Sequence, residues 1–145
     1  METITQSARE TQKLGETIGN SLKPGALATV LLLHGDLGSG KTTFVQGLAK
    51  GLGVSERIVS PTFILMRHYE LSNQLFTTLY HIDLYRLDEA NSLESLGLEE
   101  LFQDPHALIV IEWPQRLGKV KPEGATMMNF SVVSENKRRI TIPDN

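Results

Sequence analysis

Residues 31–43 read Leu31-Leu32-Leu33-His34-Gly35-Asp36-Leu37-Gly38-Ser39-Gly40-Lys41-Thr42-Thr43. An apolar run typical of a buried strand comes first, Gly-x-x-x-x-Gly-Lys-Thr follows, and a helix-forming segment comes next. The glycines let backbone N–H groups curl around phosphate oxygens, because no Cβ stands in the way. The first N–H groups of the following helix, at the positive end of its dipole, face the same anion. The stretch therefore predicts a phosphate-binding loop (P-loop) at the end of a strand.

The residues of this loop predict a bound nucleoside triphosphate with Mg²⁺. The Lys41 side chain is expected to reach the β- and γ-phosphates, and the Thr42 hydroxyl is expected to ligate Mg²⁺. The guanine-binding signature Asn-Lys-x-Asp is missing from the sequence, since Asn136-Lys137 continues into Arg138-Arg139. ATP is therefore the expected nucleotide rather than GTP. The loop residues expected to contact it are Gly35, Asp36, Leu37, Gly38, Ser39, Gly40, Lys41, Thr42 and Thr43.

The composition is that of an ordinary globular protein, and 145 residues predict a single domain over 1–145. The net charge of −3 does not indicate the basic surface of a stand-alone nucleic-acid-binding protein. The absence of cysteine excludes disulfides, thiolate metal sites and cysteine nucleophiles. Residues 1–10 are too polar for a signal peptide, and the longest apolar runs are far too short to span a bilayer. We expect a cytoplasmic protein with no membrane partner.

Hydrophobic spacing predicts the helices and the buried strands. Apolar residues at helical spacing predict helices over 8–22 and 42–52. Continuous apolar runs predict two buried strands, over 27–33 and 107–111, that lie parallel to each other. Shorter helices are predicted over 89–96 and 98–102.

Turn residues between extended segments predict two hairpins. One joins strands over 63–71 and 75–82, and the other joins strands over 127–133 and 138–142. The predicted fold class is α/β: a P-loop NTPase core whose mixed sheet is extended by antiparallel hairpins, with helices on the faces.

Two carboxylates follow apolar strand-like segments. Asp83 ends the run 79–83, and Glu112 ends the run 107–112 in the manner of a Walker B strand. Open α/β sheets bind ligands at the carboxyl ends of their strands, so both acids are candidates for the Mg²⁺ site and for orienting the attacking water. The alternative is that each strand simply ends at a solvated acid. The sequence leaves open which acid contacts the metal.

Other polar and aromatic residues have weaker signals. Ser60-Pro61-Thr62 follows the second helix at a distance typical of a switch loop, where either hydroxyl could approach the γ-phosphate or Mg²⁺; an ordinary loop fits the spacing equally well. For Trp113 a packed aromatic is the default interpretation, and shielding of the site or contact with a partner is the second. His81 fits a satisfied strand residue, and Arg86 fits a partner of a nearby acid better than a phosphate ligand.

Five blocks of the sequence together resemble the bacterial TsaE (YjeE) family of small P-loop ATPases in tRNA threonylcarbamoyladenosine modification. The resemblance covers the chain from about Leu14 onward, and the order of the blocks is more specific than the P-loop by itself. The blocks are Gly35-Asp36-Leu37-Gly38-Ser39-Gly40-Lys41-Thr42-Thr43-Phe44, Ser60-Pro61-Thr62-Phe63, His81-Ile82-Asp83-Leu84-Tyr85-Arg86-Leu87, Leu96-Gly97-Leu98-Glu99-Glu100 and Ile111-Glu112-Trp113-Pro114.

The resemblance implies ATP and Mg²⁺ as cofactors and slow ATP hydrolysis. It also implies two partner proteins that form the threonylcarbamoyl transferase, whose turnover the ATPase supports. The net charge of −3 disfavours independent tRNA binding, so tRNA is expected as an indirect partner only. By matching position, Thr42 and Glu112 resemble metal-site residues, and Asp83 resembles an acid of the hydrolytic centre and a further candidate metal ligand. Thr62 is similar to a switch-loop threonine. Three more positions resemble family residues near the nucleotide or the acid, namely Thr11, Trp113 and Arg138.

The sequence thus predicts an ATPase subunit in which Lys41, Thr62, Asp83 and Glu112 carry the hydrolytic chemistry. No arginine can be assigned as an internal arginine finger, so turnover is expected to be slow alone and faster with partners. Two other functions stay open: a small-molecule kinase, for which no arginine-rich lid is found, and a nucleotide-switched binding module whose hydrolysis is incidental.

Overall fold

The computed structural model describes residues 1–54, 56–61, 64–72, 75–87 and 93–143. In these residues seven strands form one sheet, in the spatial order β1-β7-β6-β2-β5-β4-β3. The strands are β1 (Glu2–Thr5), β2 (Thr29–His34), β3 (Met66–Glu70), β4 (Thr78–Asp83), β5 (Ala107–Glu112), β6 (Thr126–Val132) and β7 (Arg138–Thr141). The α-helices are α1 (Ala8–Ser21), α2 (Lys41–Gly51) and α3 (Leu98–Leu101), and 3-10 helices span Leu93–Leu96 and Pro114–Leu117.

The centre of the sheet is parallel and its margins are antiparallel. Strand β2 lies parallel to both β5 and β6, and β4 lies parallel to β5. The β3–β4 and β6–β7 pairs are antiparallel, as is β1 against β7. The predicted mixed sheet with antiparallel hairpins is therefore confirmed. Of the turn predicted at 72–74, residues 73 and 74 lie outside the described residues.

Helices α1 and α2 cover one face of the sheet, and short helices cover the other. Every residue of β5 is buried, as its continuous apolar run predicts for a strand with both faces covered. Leu33, Val110 and Leu48 belong to the core under the two long helices. Ile109 and Ile111 belong to the core on the opposite face, against residues of the short helices. None of the helices in the described ranges is long and apolar enough to cross a membrane.

Helices α1 and α2 approach each other through glycine. A Cβ placed on Gly15 would lie 2.3 Å from the Phe44 carbonyl oxygen, and one on Gly47 would lie 1.8 Å from that of Gln12. Both distances are far below ordinary contact, so the two backbones touch where these residues meet. This contact holds the start of α1, which the Ser7 hydroxyl caps through the Glu10 amide, beside the start of α2.

Most predicted elements agree with the structure, with three differences. The strand predicted over 63–71 is shorter and comprises Met66–Glu70, with 62 and 63 outside the described residues. Of the helix predicted over 89–96, the described part is the 3-10 helix Leu93–Leu96, and 88–92 lie outside the described ranges. The sequence predicts no element before residue 8, yet β1 pairs with β7 at the sheet edge. A four-residue strand whose partner lies at the other end of the chain leaves little local signal.

Candidate functional site

A cleft of about 360 Å³ opens at the carboxyl ends of the parallel strands. Because β2, β4 and β5 run parallel, the P-loop after β2 and the acids that end β4 and β5 meet at one edge of the sheet. The β6–β7 turn and the first turns of α1 complete the walls. The lining residues are Ala8, Thr11, Leu37, Gly38, Gly40, Lys41, Thr42, Thr43, Ser60, Asp83, Glu112, Glu135, Asn136 and Arg138.

The glycines of the P-loop have conformations that other residues rarely adopt. Gly38 has a φ of 80° and Gly40 a φ of 101°, and Gly40 accepts the first helical hydrogen bond of α2 from the Phe44 amide at 2.9 Å. Gly35 passes so close to the Phe130 carbonyl oxygen that a Cβ would lie 2.6 Å from it. The backbone therefore turns tightly from β2 into α2, as the motif predicts.

Lys41 is buried and held by the loop itself. Its ammonium donates a hydrogen bond of 2.5 Å to the Gly35 carbonyl oxygen and lies 4.4 Å from the centre of the Trp113 ring. Burial lowers the pKa of Lys41, and the nearby carboxylates of Glu112, Asp83 and Asp36 offset part of that shift. Lys41 is thus a cation in a partly dehydrated site, where an anion would interact with it strongly.

Asp83 and Glu112 stand side by side on adjacent strands. They are directly paired in the parallel register of β4 and β5, and their residues are 4% and 3% exposed. The Asp83 carboxylate also accepts a hydrogen bond of 3.0 Å from the Tyr85 amide. Within the described ranges no group of three or more acidic or histidine side chains is arranged as a metal site on its own. The two acids therefore share one wall of the cleft as a pair.

His81 lies behind this pair and contacts one of its members. Its Nε2 atom is 2.6 Å from Oε2 of Glu112, and both side chains are buried. The Nδ1 atom is also buried and has no hydrogen-bond partner in the described part of the chain. The sequence suggested a satisfied strand residue and no link to Glu112. The available signal was the spacing, since His81 and Asp83 are two apart and share one face of β4.

Trp113 packs against the core on the short-helix face of the sheet and also contacts Lys41 of the loop. Its backbone is left-handed, with a φ of 58°, and its half-buried ring lies 5.0 Å from that of Tyr85. The ring contacts the Lys41 ammonium. Trp113 itself is not among the residues that line the cleft. The default interpretation of this residue, a packed aromatic, agrees with these contacts, and shielding of the site stays a prediction.

The residues at the two ends of the chain form the remaining wall. The Thr11 hydroxyl is buried and lies 2.7 Å from that of Thr5. Arg138 donates from Nε to the Gly38 carbonyl oxygen at 3.1 Å. Its Nη1 group donates to the carbonyls of the β6–β7 turn, namely those of Ser134, Glu135 and Lys137. The structure thus brings Thr11 and Arg138 to the P-loop.

Not every residue predicted for the site lines the cleft, and some residues that line it were not predicted. Ser60 lines the cleft, whereas Thr62 lies outside the described residues, so its predicted role is untested. Gly35, Asp36 and Ser39 belong to the loop without lining the cleft, and Arg86 contacts the neighbouring Tyr85 ring at 5.9 Å. Sequence reasoning missed three wall residues, Ala8, Glu135 and Asn136, because only the folded sheet brings both chain ends to the loop.

A parallel sheet core with a glycine-rich phosphate-binding loop between its central strand and a following helix defines a protein of the P-loop NTPase fold. The family model described as "Threonylcarbamoyl adenosine biosynthesis protein TsaE" matches residues 5–140. The chain belongs to the TsaE family, and the resemblance carried by the five sequence blocks is confirmed.

Relatives support this membership over nearly the whole chain. A tRNA threonylcarbamoyladenosine biosynthesis protein TsaE from Treponema pallidum is 37% identical over 142 residues, 98% of this chain and 99% of that protein. The protein of the same name from Bacillus subtilis is 34% identical over 137 residues, 94% of this chain and 81% of the relative. The crystal structure of YdiB from Bacillus subtilis superposes with a TM-score of 0.76 at 31% identity, covering 98% of this chain and 83% of that one.

Proposed function

We propose that the protein is a Mg²⁺-dependent ATPase that supports the threonylcarbamoyl transferase acting on adenosine in tRNA. One observation carries the chemical part: the P-loop, Lys41, Thr42 and the Asp83–Glu112 pair line a single cleft. The pathway is supported by the family membership and by the names of the relatives. The two partner subunits are carried over from the family resemblance, and the indirect relation to tRNA is supported by the net charge of −3.

The cleft has room for a nucleotide with its phosphates at the P-loop. Its volume of about 360 Å³ falls in the range of small-molecule sites. We place the β- and γ-phosphates against the loop amides and Lys41, because backbone N–H groups and a buried ammonium favour anions there. The nucleoside then lies toward Thr11, Glu135 and Asn136, which line the cleft outside the loop.

The residues present fit a Mg²⁺ ion that is held jointly with the nucleotide. Mg²⁺ prefers oxygen ligands and is usually bound by one or two protein groups together with phosphates and water. The Thr42 hydroxyl and the carboxylates of Asp83 and Glu112 are oxygen donors on one cleft, and among the described residues no third acidic or histidine side chain joins them to form a metal-binding group. When bound, the ion supplies neutralisation of the charge that develops on the β- and γ-phosphate oxygens.

Lys41 changes partners when the nucleotide binds. Its ammonium now donates to the Gly35 carbonyl oxygen, and a phosphate oxygen is a stronger, charged acceptor for the same group. The Trp113 ring and the loop hold the lysine beside the cleft, so a change of hydrogen-bond partner is enough and no unfolding is needed. The carboxylates of Asp83 and Glu112, which are close enough to Lys41 to affect its pKa, line the same cleft, where one orients the attacking water.

We expect slow turnover by the isolated protein because no arginine of the cleft is placed to act on the γ-phosphate in the described part of the chain. Among the described residues, Arg138 is the one arginine that lines the cleft. Its Nε and Nη1 groups donate to backbone carbonyls of the P-loop and the β6–β7 turn. An arginine engaged in this way supports the loop and does not supply its charge to the γ-phosphate. Partner subunits are therefore expected to raise the rate.

The central experiment measures ATP hydrolysis with and without the two transferase subunits, each prepared separately. We expect low activity alone and a marked increase in the complex, and Lys41→Ala should abolish both by removing the phosphate-binding cation. Glu2→Ala is the matched control, because Glu2 makes an exposed ion pair with Arg139 at the far edge of the sheet. Normal hydrolysis by Lys41→Ala in the complex would contradict the proposal.

The same assays separate the two other functions. A small-molecule kinase requires an acceptor, so phosphate transfer to an added acceptor in place of hydrolysis would favour that function. For a nucleotide-switched module, Glu112→Gln would abolish hydrolysis and leave tRNA modification intact. A large fall in both hydrolysis and modification in Glu112→Gln, with a residual hydrolysis rate that can still be measured, is the outcome expected for the ATPase.

A further inference from the structure

We infer that His81 is a positioning residue for Glu112: its Nε2–H group fixes one carboxylate oxygen so that the other is presented to the reaction. The inference rests on the proposed ATPase and concerns how that site is built. Its starting observation is the distance of 2.6 Å between Nε2 of His81 and Oε2 of Glu112. His81 does not line the cleft, so its effect on the chemistry passes through Glu112.

The register of the sheet creates this contact. His81 pairs with Val110, and Asp83 pairs with Glu112, so the imidazole and the glutamate side chain are diagonal neighbours on one face of β4 and β5. Diagonal neighbours are within reach of each other when both side chains are long. This face is the one covered by α2, since Leu79 and Val110 belong to the core under the long helices. The fully buried histidine therefore lies on the face of the sheet that the long helices cover.

Glu112 needs a donor at this place. The residue is 3% exposed and follows five buried apolar residues, so water cannot hydrate the whole carboxylate. The backbone N–H groups of β5 are used in pairing with β2 and β4, so they are not free to donate to the carboxylate. The Glu112 carbonyl oxygen accepts a hydrogen bond from the Leu84 amide at 3.1 Å. A buried carboxylate without a hydrogen-bond donor is strongly unfavourable. His81 supplies that donor at Oε2, which leaves Oε1 for the cleft.

The histidine has a defined protonation pattern in this arrangement. For Nε2 to donate, it must carry the proton, and the buried Nδ1 atom has no partner in the described residues that would compete for the ring. The ring contributes one donor aimed at one oxygen. A side chain that donates from the same place can replace it, and a side chain of similar volume that cannot donate will leave Glu112 free to rotate.

The test compares His81→Gln, whose amide nitrogen can take the place of Nε2, with His81→Leu, which has similar bulk and no donor. We expect His81→Leu to lower kcat for ATP hydrolysis in the transferase complex by roughly 10- to 100-fold, the effect of losing one hydrogen bond to a charged group. The KM for ATP and the ADP affinity should stay within about threefold, since the P-loop is unchanged. His81→Gln should recover most of kcat. His106→Leu, at an exposed histidine outside the cleft, is the control.

A double-mutant cycle shows whether His81 acts through Glu112. In a Glu112→Gln background, His81→Leu should lower the residual kcat by less than about twofold, because the carboxylate that it positions is gone. Full additivity of the two effects would overturn the inference. So would equal losses of kcat and ADP affinity, or failure of His81→Gln to recover activity while remaining folded as judged by its melting temperature.

A spectroscopic readout keeps the inference separate from the ATPase proposal. In the ¹⁵N-histidine-labelled protein, we expect His81 to show a protonated Nε2 in slow exchange with water. A proton on Nδ1 alone would overturn the inference. If that pattern is found and the wild-type complex hydrolyses no ATP, the proposed function fails, and the positioning role for hydrolysis fails with it. If the wild type hydrolyses ATP and His81→Leu is fully active, only the inference fails.

Discussion

Replacement of Gly47 by alanine is expected to destabilise the protein, because α1 and α2 touch through their backbones at this residue. A Cβ on Gly47 would lie 1.8 Å from the carbonyl oxygen of Gln12 and 2.6 Å from its carbonyl carbon. Ordinary Cβ contacts begin at 3.4 Å, so the helices would have to separate by about 1.6 Å along the shorter line. Both atoms are backbone, and no flexible side chain can move aside to accept the methyl group.

The expected loss can be worked out from two opposing effects. Overpacking in a close-packed core costs about 1–3 kcal/mol, and a clash between two backbones belongs at the upper end of that range. Alanine gains about 1 kcal/mol over glycine inside a helix. The net loss in the free energy of unfolding is therefore about 2 kcal/mol, which lowers the Tm of a chain of this size by roughly 4–8 °C.

Thermal unfolding followed by circular dichroism measures this loss, and ADP titration measures its effect on the site. ADP affinity should fall as well, because Thr11 on α1 and Lys41 on α2 both line the cleft. Gly25→Ala is the matched control: the residue is exposed and a Cβ there meets nothing within 4 Å, so its Tm should equal or exceed that of the wild type. A Gly47→Ala protein that melts at the wild-type temperature would refute the proposed backbone contact.

Two further predictions concern residues at the P-loop. The lowered pKa of Lys41 implies that its charge is lost below the ordinary lysine value of 10.5, so ADP affinity should begin to fall at a lower pH than an exposed lysine would allow. Fluorescence titration against pH checks this, and Lys41→Arg, although weaker overall, should lack the alkaline fall because guanidinium stays charged. Arg138→Ala should weaken ADP binding about tenfold by freeing the Gly38 carbonyl and the β6–β7 turn. Arg139→Ala, which loses only the exposed pair with Glu2, should bind like the wild type, and equal losses in both variants would contradict a loop-supporting role for Arg138.

Local signals in the sequence were enough for the central elements of the fold. The apolar run before Gly35 becomes β2, the helix after Gly40 becomes α2, and the run that ends at Glu112 becomes β5. Each depends on periodicity or glycine placement within a short segment, which the printed order of residues shows directly. The hairpins were predicted for the same reason, because their strands are neighbours along the chain.

The residues missed by sequence reasoning depend on distant pairings. Strand β1 forms by pairing with β7 at the sheet edge, where Glu2 lies opposite Thr141. The pattern of a four-residue segment does not indicate a partner at the other end of the chain. Glu135 and Asn136 reach the cleft because β6 lies beside β2 and carries the β6–β7 turn to the P-loop. The link from His81 to Glu112 likewise needs the parallel register of β4 and β5.

The sequence by itself determined the P-loop, the class of fold and the two candidate acids. Each of these depends on contiguous residues, whose backbone conformation is set by local effects such as glycine placement and hydrophobic periodicity. Tertiary structure decided which groups surround them: the lysine held between Gly35 and Trp113, the imidazole behind Glu112, and the walls from both ends of the chain. Strand register and the close approach of α1 to α2 set those distances. They arise from the packing of segments far apart in the chain, which no single stretch of sequence specifies.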